Sequence, residues 1–110
     1  MKLWIDDVRP APEKWYHAFT TEEALDMIEG EFNYFPDQVL EISLDHDAGD
    51  CAKFGGDFIE ILETLEEAAE EFDSWKDYIK NKVIFHIHSM NPVGVQNMRR
   101  IIQKNGWTEV

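Results

Sequence analysis

The chain's 110 residues suffice for one hydrophobic core, and its 44% apolar content, with seven Phe and four Trp, can fill one. Twenty-three acidic residues against ten basic ones give a formal charge of −13, which opposes an extended nucleic-acid or anionic-membrane surface, because phosphate backbones select clustered Lys and Arg. Cys51 has no second cysteine to pair with, no signal-like segment opens the chain, and no apolar run nears the ~20 residues of a membrane span; a single cytoplasmic domain over residues 1–110, with no membrane partner, is expected.

Lys2 to Ile5 reads as a short strand that stops at Asp6 and Asp7, and the prolines of Arg9-Pro10-Ala11-Pro12 can continue neither a helix nor a ladder. Trp15 to Phe19 resumes a strand pattern. Thr20 with Glu23 then forms a capping box for a helix through Ala24, Leu25 and Ile28, expected to end near Gly30. Val39 to Leu44 is the next strand, and the polar segment Asp45 to Gly56 follows it. Phe58, Leu62, Leu65, Ala69 and Phe72 then recur at helical spacing, which predicts the longest element of the chain. Its Glu60, Glu63, Glu66, Glu67, Glu70 and Glu71 read as a solvated face. Val83 to His88 is a β-branched and aromatic run. Asn91 as N-cap and Pro92 as first helical residue open a helix through Val95, Met98 and Ile102 toward Gly106, and Trp107 to Val110 can form a last strand. Alternating strands and helices imply a parallel sheet with helices on both faces and right-handed crossovers, an α/β, flavodoxin-like, doubly wound sheet. Such sheets bind ligands beyond the carboxyl ends of their strands.

The polar clusters obey that rule. Asp6-Asp7, Asp45-His46-Asp47 and His88-Ser89-Met90-Asn91 each follow directly on an apolar strand run, so all three are expected at one rim. Either aspartate group alone reads as turn or cap residues. Together, up to four carboxylates (Asp6, Asp7, Asp45 and Asp47) would repel one another unless a cation sat among them, and such an oxygen-rich set suits a hard divalent metal, Mg²⁺, Mn²⁺ or Ca²⁺, with Mg²⁺ or Mn²⁺ expected. The histidine pair and Cys51 match no zinc spacing. The helix start at Asn91 favours an anion, Ser89 can add a hydroxyl donor, and Arg9 can grip a phosphate or pair with a carboxylate. His46 and His88 are placed for acid–base work near neutral pH. His86 shares a strand face with His88 and reads as a core residue. Gly55-Gly56 fits no phosphate-loop pattern, and no Ser-His-Asp order or nucleophile elbow is present.

WIDDVRPAP, ISLDHDAGD and HIHSMNPVG, in this order, resemble the cyclic-phosphate processing receiver-like family, a divergent relative of the response-regulator receiver domain. The resemblance spans nearly the whole chain. It implies a receiver-like sheet with the first helix lost, in keeping with the proline loop between Ile5 and Trp15. It also implies that Asp6 and Asp7 form the acidic metal-binding pair, that Asp45 matches the phosphate-accepting aspartate, and that Ser89 is the hydroxyl residue after the fourth strand. His46, His88, Asp47 and Asn91 match further polar residues typical of the cyclic-phosphate group. The chain departs from an ordinary receiver in having no strand-borne lysine after the fourth strand, only Lys104 within the last helical pattern. The expected function is therefore a metal-dependent phosphoesterase acting on 2′,3′-cyclic phosphate RNA ends or cyclic nucleotides, with Asp45, His46 and His88 as catalytic residues. Its partner would be a phosphate-bearing small molecule or an RNA terminus. Two alternatives stand beside it: a signalling receiver phosphorylated on Asp45, and a non-catalytic interaction module.

Overall fold

The computed structural model describes residues 1–46 and 57–110. Five strands are defined there: β1 (Lys2–Ile5), β2 (Tyr16–Ala18), β3 (Leu40–Leu44), β4 (Val83–Ile87) and β5 (Thr108–Glu109). Four helices join them: α1 (Thr21–Tyr34), α2 (Ile59–Glu71), α3 (Asp73–Lys82) and α4 (Pro92–Lys104). The strands form one parallel sheet in the order β2-β1-β3-β4-β5. This is the expected α/β, receiver-like, flavodoxin-like architecture, and no helix among the described residues is long and apolar enough to cross a membrane.

Strand order decides which face the helices cover. The connections β2 to β3, β3 to β4 and β4 to β5 all step the same way across the sheet, so right-handed crossovers place their helices on one face. Accordingly α2 packs against α1, α3 and α4 in a single layer. Only β1 to β2 steps the other way, and that connection is the proline loop, in which Lys14 takes a left-handed turn at φ 71°. The expectation of helices on both faces is thus met on one, among the described residues.

The alternation of each strand follows suit. Leu3, Ile5, Leu40, Ile42, Leu44, Val83 and Phe85 are buried against Ile28, Ile61, Leu62, Leu65, Met98 and Ile102 of the helices. Trp4, Glu41, Ser43 and His86 occupy the positions between them, on the opposite face.

Two boundaries differ from expectation. Thr20 caps α1 as predicted, its Oγ accepting the Glu23 N–H at 3.1 Å, but the helix runs past Gly30 to Tyr34 and is one residue longer than α2. An interior glycine costs only about 1 kcal/mol, and Phe32 beyond it stacks on Trp75 at 3.9 Å, a packing gain of that order. Trp75 belongs to α3, which the sequence reading passed over although Trp75, Tyr78 and Ile79 carry helical spacing on one face.

Candidate functional site

The parallel ladder brings the three polar clusters to one rim. The Asp45 N–H donates to the Ile5 carbonyl, and the His88 N–H donates to the Leu44 carbonyl, each at 2.9 Å, so the first residues beyond β1, β3 and β4 lie side by side. Asp6, Asp7 and Asp45 each offer a carboxylate oxygen within 4.8 Å of the others. Asp6 and Asp45 are buried.

Asp6 is the most firmly held of the three. Its N–H donates to the Ala18 carbonyl, and its carbonyl accepts from His17 Nε2 at 2.7 Å. Oδ1 accepts the N–H groups of Val8 and Arg9, each at 2.8 Å, while Oδ2 faces His88 Nε2 at 3.0 Å and Arg9 Nε at 3.9 Å. Burial alone would push this carboxyl up, but the Arg9 and Val8 amides, with His88, outweigh it and hold the pKa below the ordinary value. Asp6 is therefore an anion with both oxygens oriented.

An ionised carboxylate only accepts, so His88 Nε2 carries a proton. Burial pushes the imidazolium pKa down against the pull of Asp6. Ser43 Oγ lies 2.7 Å from Nδ1, where an Nε2-protonated ring would accept its O–H. One face of the ring stacks on Trp4 at 3.7 Å and 8°, and the carbonyl of His88 accepts from Arg9 Nη1 at 2.7 Å. Both ring nitrogens of His88 are thus engaged within the protein.

His46 follows Asp45, whose Oδ1 accepts the His46 N–H at 2.9 Å. Its ring lies against the first turn of α4, where a Cβ on Gly94 would fall 2.7 Å from Nδ1. Glycine at this position is what lets the imidazole approach the helix. Asn91 caps that helix by accepting the Gly94 N–H at 3.0 Å, and its own N–H donates to Ser89 Oγ at 3.1 Å. Pro92 at the first position has no N–H to donate, and the Gly94 and Val95 amides are both engaged by Asn91.

Asp6, Asp7, Arg9, Asp45, His46, His88, Ser89 and Asn91 therefore meet at the rim. Asp47, Cys51 and Gly55-Gly56 lie outside the described residues. His86 departs from its expected core position: it sits half-buried on the face opposite the described helices, Nε2 3.3 Å from Glu41 and edge-on to Trp15. Lys104 lies at the end of α4 away from the rim, 3.5 Å from Glu66 on α2. Ser43, Trp4 and Gly94 were not singled out from sequence, since each matters through a partner distant along the chain. Alternation could have placed Ser43 and Trp4 on the face of His88, but not in contact with it.

The donor set suits a hard cation. It consists of three carboxylates, two of them buried, with Arg9 the nearest described positive charge, and it contains no thiolate. No curated protein and no solved structure matches the chain. Residues 1–104 match the family described as the cyclic-phosphate processing receiver domain, and the chain, with its β2-β1-β3-β4-β5 sheet, belongs to that family.

Proposed function

We propose that the rim opens cyclic phosphate esters, such as 2′,3′-cyclic phosphates on a nucleotide or an RNA end, by hydrolysis. The observation that carries this reading is the meeting of carboxylates from two strand ends with histidines from β3 and β4 at the edge where parallel sheets take ligands. Asp6, Asp7 and Asp45 would hold Mg²⁺ or Mn²⁺, with Asp47 as a further candidate ligand. Such an ion supplies neutralisation of phosphate charge and acidity for a water. His46, beside Asp45 and against the first turn of α4, is assigned the proton transfer, and His88 bridges Asp6 and Ser43. His88 then orients Asp6. Arg9, the Ser89 hydroxyl and the amide end of α4 at Asn91 bind the non-bridging oxygens. A water adds to phosphorus, one ester oxygen leaves with a proton, and a phosphomonoester results.

The test is incubation of the purified protein with Mg²⁺ or Mn²⁺ and 2′,3′-cyclic mononucleotides or cyclic-phosphate-ended RNA, with products separated by chromatography. Conversion to a monoester that His46→Ala and Asp45→Asn both abolish is the expected result. Substrates left unchanged while a control enzyme opens them would sink the proposal.

The alternative of a phosphorylated receiver draws support from Asp45 following β3 in a receiver strand order. Incubation with acetyl phosphate and Mg²⁺ is expected to give no adduct. A phosphoryl mass gain that Asp45→Asn removes would put this reading first.

A further inference from the structure

Among the described residues, three polar side chains are buried: Asp6, Asp45 and Ser43. The first two are site carboxylates. Ser43 lies inside β3, 4% exposed, where an unbonded hydroxyl would be costly, and its one side-chain partner is His88 Nδ1 at 2.7 Å. The His88 ring is held on one face by Trp4, and its backbone is held by Arg9 and Leu44. A half-turn about the Cβ–Cγ bond would preserve all of these contacts. That flip would turn Cδ2 toward Ser43 and Cε1 toward Asp6, removing both hydrogen bonds at once.

We propose that Ser43 is a positioning residue of the site: its O–H fixes His88 as the Nε2-protonated ring that grips Asp6 Oδ2 and thereby sets the direction of the Asp6 carboxylate. Ser43 does not touch substrate, being sealed within the sheet. It acts at two removes, with Ser43 holding His88 and His88 holding Asp6. Orienting groups of this kind contribute to ligand geometry at metal sites, where their loss costs about 10–100-fold in affinity. The consequence for metal affinity rests on the reading of the rim as a metal site. The state of the His88 ring does not.

The test therefore has two readouts, taken on the full chain as wild type, Ser43→Ala and Ser43→Thr. The first is the ¹⁵N resonances of the His88 ring without metal near neutral pH, and the second is Mn²⁺ affinity by calorimetry. Wild type is expected to show a protonated Nε2 and a hydrogen-bonded Nδ1. Ser43→Ala is expected to move the Nδ1 resonance toward that of a bare nitrogen and to weaken Mn²⁺ about tenfold. Ser43→Thr, which keeps the hydroxyl, is expected to hold both. A proton on Nδ1 in wild type, or ring resonances unchanged in Ser43→Ala, overturns the proposal, as does unchanged Mn²⁺ affinity in Ser43→Ala when wild type binds the ion. If wild type binds no Mn²⁺, the metal reading fails on its own and the ring resonances alone decide for or against Ser43.

Discussion

Phe85 and His86 are neighbours on β4 that face opposite ways, and the two faces they represent do different work. On the helix side, Leu3, Ile42, Leu44 and Phe85 meet side chains from all four helices and close an apolar core. On the other side, Trp4, Glu41, Ser43 and His86 bond to one another's neighbours through rings and hydrogen bonds, with Trp15 of the proline loop edge-on to Trp4 at 6.2 Å. Loss of the first crossover helix thus converts half of the sheet from core into a polar support layer for the rim. Burial of apolar area supplies stability, whereas directed hydrogen bonds supply geometry.

The largest test of this division exchanges the two neighbours. Phe85→Ala is expected to cost about 3–5 kcal/mol in urea unfolding, and His86→Ala about 0.5 kcal/mol or less. Equal costs would erase the distinction. Next comes the rim, where both faces end. Gly94→Ala should lower stability by about 1–3 kcal/mol through overpacking and, by displacing the His46 ring, reduce cyclic-phosphate hydrolysis more than it reduces metal affinity.

Acid sharpens the comparison further in metal-free protein. Asp6 is held below its ordinary 3.8, so its contribution is present above that pH and is lost as pH falls through the lowered value. His88 is held below its ordinary 6.5, so the unfolded chain takes up a proton first and stability begins to fall as pH drops below about 6.5. Urea midpoints should therefore decline in two stages, and His88→Gln should flatten the upper one. The smallest expected effect lies in the helix layer. Tyr78 has a buried hydroxyl without a hydrogen-bond partner among the described residues, and burial pushes its pKa up to about 12, helped by Glu31. Tyr78→Phe should leave stability unchanged or raise it by up to about 1 kcal/mol. It should also remove the loss expected of wild type between its ordinary 10 and about 12, where only the unfolded chain is ionised.

The rim was legible in the sequence because its residues directly follow apolar runs: Ile5 before Asp6, Leu44 before Asp45, Ile87 before His88. Strand ends are local signals, and a parallel sheet aligns them. The end of α1 was misread because Gly30 is a stop signal only when nothing beyond it packs, and Phe32 finds Trp75 across the helix layer. The division of labour between the histidines was not legible for the same reason. Ser43 and His88 are 45 residues apart, and His46 meets Gly94 only once α4 has been laid across the rim. Residue types announced the chemistry, while pairings between distant positions assigned the roles.

β1 is made first yet lies between β2 and β3, and the Asp6–His88 bond closes over 82 residues of chain. Parallel pairings of this kind reward the chain only after long loops have closed, which slows folding relative to local structure. The site is complete only once β4 is docked beside β3. Trp4, flat against His88, sits where that step occurs, so with Trp15, Trp75 and Trp107 replaced by Phe its fluorescence would report the moment at which the rim is complete.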